Sequence, residues 1–125
     1  MKIKEFFYYW LPVIVYMGFI FFMSGRSSIP IVSEIKINYF DLVEHLIEYF
    51  ILAVLLIRLT INSNLNKPFL TAIIISVAYG VLDEVHQLYV PGRIFSFFDM
   101  IADAVGSVLV VIFKYNKRLL KFIKK

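Results

Sequence analysis

The chain has 125 residues, of which 61% are hydrophobic and only 18% charged, with a mean hydropathy of +0.82. A soluble domain carries about 45–50% apolar and about 25% charged residues, so this composition belongs to the membrane class. There is no cysteine, which excludes a disulfide framework, thiolate metal ligands and a cysteine nucleophile. The net charge of +4 does not point to nucleic acid. Lys114, Lys117, Arg118, Lys121, Lys124 and Lys125 crowd the last twelve positions behind an apolar run, where they read as an anchor to anionic headgroups.

Four spans are expected, at about 6–23, 40–58, 68–90 and 97–114. The first is uncharged, bulky throughout and carries Tyr8, Tyr9 and Trp10 near its start. No small-residue cleavage site follows it, so it reads as an uncleaved span that tolerates Pro12. Residues 25–39 form a polar linker. The second segment opens with Asp41, Glu44, His45 and Glu48 before turning apolar. After the Asn-rich stretch 62–67, the third is apolar through Leu82 and then carries Asp83, Glu84, His86 and Gln87. A turn, Val90-Pro91-Gly92-Arg93, leads to the fourth, with Asp99 and Asp103 early and Gly106 one turn on. These features predict an all-α polytopic membrane protein: one domain, a bundle of four transmembrane helices.

Orientation follows from the basic residues. With both termini cytoplasmic, the inner side holds Lys2, Lys4, Arg58, Lys67 and the six basic residues of the tail. The outer side keeps only Arg26, Lys36 and Arg93. The charged ends of the last three segments then all face outward. A rise of 1.5 Å per residue puts Glu48, Asp83 and Asp103 roughly 9–12 Å below the outer ends.

Ionisable groups inside a span cost at least ~2.5 kcal/mol each on insertion scales, and face the bundle interior or a watery cavity. Helical spacing places Asp41, His45, Glu48 and Tyr49 on one face, Tyr79, Asp83, His86 and Gln87 on another, and Ser96, Asp99, Asp103 and Gly106 on a third. Three such stripes are sheltered by facing one another. Gly106 permits close helix approach. Arg93 serves either to neutralise the acids or to hold an anionic headgroup or phosphate. The bland alternative is a hydrogen-bonded plug that sets helix register.

Several chemistries compete. A metal site is open to two histidines and several carboxylates, with Zn²⁺ or Mg²⁺ admitted by ligand type; but there is no His-Glu-x-x-His, and Glu84 and His86 fall on different faces. Acid/base catalysis would draw on Asp83, Glu84, His86 and His45. Nucleophilic use of Ser24, Ser27, Ser28 or Ser96 has no elbow motif behind it. Proton-coupled transport lacks a pair of broken half-helices.

The run Tyr79-Gly80-Val81-Leu82-Asp83-Glu84-Val85-His86-Gln87, then Arg93, Ser96, Asp99, Asp103 and Gly106, resembles the VanZ-like family of bacterial membrane proteins. That family's pattern is an Asp-Glu-x-x-Gln block, an Arg, a Ser, an Asp and a Gly across two adjacent spans. Asp41, His45, Tyr49 and Leu52 resemble its Asp-Lys-x-x-His-x-x-x-Tyr-x-x-Leu stretch, and Ser24 resembles a serine common at the end of the first span. The likeness covers nearly the whole chain. One departure is Leu42, which stands where the family has Lys.

The resemblance implies a plasma-membrane protein of the bacterial envelope, in a family associated with reduced susceptibility to lipoglycopeptides such as teicoplanin. Some members carry enzyme names such as phosphotransbutyrylase, but nothing here resembles an acyl-phosphate or CoA site. The expectation is an outward acidic cavity that binds a cell-wall lipid or a lipid-tailed antibiotic. Asp41, His45, Asp83, Glu84, Gln87, Arg93, Ser96, Asp99 and Asp103 form its lining. Membrane lipids are the expected partners, nucleic acid is not, and no cofactor is expected beyond the metal left open above. The alternatives are an intramembrane hydrolase or transferase on a lipid-linked substrate, and a structural partner of a larger membrane complex.

Overall fold

The computed structural model describes residues 3–26 and 39–124, Phe122 by its backbone alone. Lys2, Ser27, Ser28, Lys36, Lys125 and most of the 25–39 linker lie outside the described residues. Six helices follow in order: α1 Ile3–Ser24, α2 Tyr39–Asn62, α3 Pro68–Gln87, α4 Phe97–Leu109, α5 Ile112–Tyr115 and α6 Lys117–Ile123. No strand occurs among the described residues.

Proline shapes α1. Pro12 has no N–H and its ring crowds the carbonyl four residues back. The turn before it widens into a π-helical segment, Phe6–Trp10, with the Leu11 N–H donating to the Phe6 carbonyl. This sets Tyr8 and Tyr9 beside α2, where the Arg58 guanidinium lies 4.1 Å from the centre of the Tyr8 ring.

Helix α2 is the centre of the bundle, packed against α1, α3 and α4. A short turn joins it to α3. Asn64 takes the left-handed conformation (φ 55°), Pro68 occupies the first turn of α3, and the Thr60 hydroxyl donates to the Pro68 carbonyl at 3.0 Å. After α3 the chain unwinds through three consecutive i→i+3 hydrogen bonds and enters the turn Val90-Pro91-Gly92-Arg93. Pro91 precedes Gly92 at φ 81°, and the Arg93 N–H donates to the Val90 carbonyl at 3.1 Å, the arrangement of a type II turn. Ser96 caps α4, its hydroxyl accepting from the Asp99 N–H at 3.2 Å.

The expected boundaries shift in all four segments. The first begins at Ile3, the second runs to Asn62, the third ends at Gln87, and the fourth stops at Leu109 rather than near 114. Four of the five residues 108–112 are β-branched and crowd a helical backbone. The backbone tightens there, Val111 bonding to Val108 and Phe113 to Val110, before α5 resumes. Asn116 then breaks and caps, its Oδ1 accepting from the N–H groups of Arg118 and Leu119. At ~1.5 Å per residue α4 is about 20 Å long, short of the roughly 30 Å hydrocarbon core. Among the described residues α1 and α3 are long and apolar enough to cross a membrane.

The interior has two layers. At one end Val13, Leu52, Leu56, Leu59, Ala72 and Val110 make an apolar core, with Ile123 of α6 tucked against it. At the other end the buried side chains are polar: Ser24, His45, Asp83, Glu84, Gln87 and Asp103. The outside is the reverse. Phe7, Ile14, Phe19, Phe22, Ile74 and Leu82 are exposed, an apolar surface suited to a lipid solvent. The all-helical fold and the two long apolar helices are consistent with a membrane protein.

Candidate functional site

Two close approaches build the polar end. Gly106 faces α2 so tightly that a methyl group there would strike the Leu46 carbonyl. Gly80 faces α4, where a methyl group would lie 2.9 Å from Asp103 Oδ2 and 3.2 Å from the Tyr49 ring. Glycine at both positions lets three helices meet, and His45, Glu84 and Asp103 converge where they do.

His45 Nδ1 and Asp103 Oδ1 are 2.9 Å apart, and His45 Nε2 lies 3.9 Å from Asp99 Oδ2. With Asp103 ionised, His45 donates and the carboxylate accepts. Glu84, fully buried, accepts from the Ser96 N–H through Oε2 at 2.9 Å. The cap of α4 and the Glu84 carboxylate are thereby fixed to each other. One ligand atom each from His45, Glu84 and Asp103 fall within 4.8 Å of one another. Beneath them a hydroxyl ladder continues: Ser76 and Ser107 share a hydrogen bond of 2.7 Å, and Ser107 also donates to the Asp103 carbonyl at 2.7 Å. Several buried atoms here have no hydrogen-bond partner, among them Glu84 Oε1, Asp103 Oδ2 and the Tyr49 hydroxyl.

Beside this cluster lies a cavity of about 50 Å³ lined by Met23, Ser24, Asp41, Glu44, His45, Glu48, Asp83, Gln87 and Arg93. Four carboxylates face one guanidinium and one imidazole. Ser24 and Gln87 lie against the Asp83 carboxyl. The half-buried Arg93 makes no ion pair among the described residues, and its Nε is buried without a partner.

The predicted residues thus divide between two neighbouring groups. Asp41, Asp83, Gln87 and Arg93 line the cavity, Glu84 and Asp103 join in the buried cluster, and His45 belongs to both. Asp99 stands at the edge of the cluster, and Ser96 is its capping residue. His86 is the exception. The expected stripe of Tyr79, Asp83, His86 and Gln87 is wrong at that position, because α3 turns Gly80, Asp83, Glu84 and Gln87 inward. His86 instead stacks on Phe21 of α1, ring centres 4.2 Å apart. Tyr79 reaches the same helix, donating to the Met17 carbonyl at 2.7 Å. Glu44 and Glu48 were visible as ionisable residues but not as lining. Ser76 and Ser107 were missed; the signal was their helical spacing from the acids, two turns before Asp83 and one turn after Asp103.

A helical bundle with apolar flanks and a carboxylate–histidine interior is consistent with a membrane protein built around a polar site. The family model VanZ/LLP1 matches residues 7–118, so the chain belongs to the VanZ/LLP1 family. Comparison with curated proteins and with solved structures gave no match.

Proposed function

We propose that this protein is a multi-pass plasma-membrane protein of the bacterial envelope. Its acidic cavity would hold the polar head of a lipid or lipid-tailed amphiphile while the tail lies against the apolar helix surface. The supporting observation is the cavity itself: Asp41, Glu44, Glu48 and Asp83 gathered with His45 and Arg93 at one end of the bundle. About 50 Å³ admits one amine or hydroxyl-bearing group at a time and excludes an acyl chain. The carboxylates suit an amine or hydroxyl, and Arg93 suits an adjoining anionic group such as a phosphate. Cell-wall lipids and lipoglycopeptide antibiotics both combine such heads with long tails.

The test is native mass spectrometry of protein released gently from bacterial membranes, beside Asp83→Asn and Arg93→Ala at equal expression. A lipid retained by the unaltered protein and lost from both variants supports the reading. Retention unchanged in both, or no retained lipid at all, rejects it.

A second reading, an intramembrane hydrolase or transferase acting on a lipid-linked substrate, is favoured by one observation. Asp103 holds His45 at 2.9 Å, as a carboxylate orients an imidazole for acid/base work. A binder returns its ligand unaltered; only an enzyme yields a changed product that accumulates with time.

A further inference from the structure

The buried cluster beside the cavity poses a charge problem that the headgroup reading does not solve. Glu84 and Asp103 are 0% and 1% exposed, and His45 is 8% exposed. Each comes from a different helix, α3, α4 and α2. Burying two ionised carboxylates costs several kcal/mol apiece unless they are neutralised. Arg93, the nearest guanidinium in sequence, lines the cavity and forms no ion pair with either acid. Two carboxylate oxygens, Glu84 Oε1 and Asp103 Oδ2, are buried without a hydrogen-bond partner, and so is the hydroxyl of Tyr49, one helical turn from His45 on α2.

We propose that His45, Glu84 and Asp103 bind one divalent transition-metal cation, with Zn²⁺ the best match. Imidazole nitrogen and carboxylate oxygen are both accepted ligands of that ion, and imidazole disfavours Mg²⁺, which keeps to oxygen and water. The charge balances: two carboxylates, a neutral histidine and a 2+ ion sum to zero. Geometry agrees. Bonds of 2.0–2.1 Å at tetrahedral angles hold ligand atoms about 3.4 Å apart. The ligand atoms all lie within 4.8 Å of one another, so they close to that with at most about 1.4 Å of side-chain movement. The cation takes the place of the proton shared by His45 and Asp103. The Ser96 N–H would keep hold of Glu84 Oε2 and so orient that ligand. His45 borders the cavity, which gives the ion its way in.

The experiment needs no lipid and no activity, so it can fail or succeed independently of the headgroup reading. Detergent-solubilised full-length protein is stripped with chelator and titrated with Zn²⁺ alone, with Mg²⁺ as comparator. Bound metal is counted by mass spectrometry and thermal melting is followed. The expected result is one Zn²⁺ per chain, a higher melting temperature, and at least tenfold weaker binding in Glu84→Gln and Asp103→Asn. Glu44→Gln, which alters the cavity but not the cluster, should bind as the unaltered protein does. Absence of saturable Zn²⁺ binding to the unaltered protein overturns the proposal, whatever the variants do. So does equal preference for Mg²⁺, or weakening by Glu44→Gln as large as that by Glu84→Gln, since both mark a diffuse acidic surface.

Discussion

Single residues decide whether this bundle closes. Gly106 has the Leu46 carbonyl where a side chain would be, and backbone cannot move aside as a flexible side chain can. Gly106→Ala should therefore destabilise the protein by about 1–3 kcal/mol, the usual cost of overpacking. Gly18, on α1, has nothing within 4 Å of its would-be methyl group. Gly18→Ala should be neutral or stabilise by up to about 1 kcal/mol through helix propensity. Thermal melting of both variants in one detergent separates the two cases, and a loss in Gly18→Ala equal to that in Gly106→Ala would remove the close-approach argument. At this scale the sequence was partly legible. His45 and Tyr49 sit four apart and share the inward face as their spacing requires. In the inward stripe of α3, His86 was included and Glu84, though named as a site residue, was left off for a physical reason: polar residues lie all round the end of α3, and spacing alone cannot tell which arc faces α4. The packing of Gly80 on Asp103 settles it, and that contact joins residues 23 positions apart.

At the scale of elements, α3 and α4 are joined by polar contacts at both ends of their interface. Near the turn, Ser96 caps α4 and holds Glu84; deeper, Ser76 meets Ser107. Ser96→Ala should lose about 1 kcal/mol of helix capping, read as a lower melting temperature. Its backbone N–H still reaches Glu84, so metal binding should weaken little. The serine pair calls for a double-mutant cycle. Ser76→Ala leaves Ser107 its bond to the Asp103 carbonyl, whereas Ser107→Ala leaves the Ser76 hydroxyl buried and alone. Ser107→Ala should therefore be the more costly, and the coupling between the two should come to about 0.6 kcal/mol, the average for side-chain hydrogen bonds between membrane helices. Zero coupling would mean that the serines merely pack. The existence and order of the four principal helices were legible from apolar runs and turn residues. The break after Leu109 was not, because Val108, Val110, Val111 and Ile112 raise hydropathy while straining the helix, and an apolar scan registers only the first effect.

At the scale of the whole molecule, the chain is polarised along the bundle axis. Asp41, Asp83 and Asp99 cluster at one end, and Arg58, Lys67 and the tail of Lys114, Lys117, Arg118 and Lys121 belong to the other. Helix α6 strengthens this asymmetry by folding back with Ile123 in the apolar layer, so its lysines are carried at that end. A membrane with an electrically negative cytoplasmic face should hold the basic end inside and turn the acidic cavity outward. Because the chain contains no cysteine, single cysteines report this on a silent background. Ile94, 84% exposed, follows the turn at the acidic end, and Asn66 lies in the exposed turn at the basic end. In intact cells a membrane-impermeant maleimide should label Ile94→Cys, and should label Asn66→Cys only after permeabilisation. The reverse pattern would put the cavity on the cytoplasmic side, where an external antibiotic could not reach it directly and a cytoplasmic ligand would have to be sought instead. Labelling of both positions in intact cells would mean that α3 does not cross the membrane, and the multi-pass topology would fall with it.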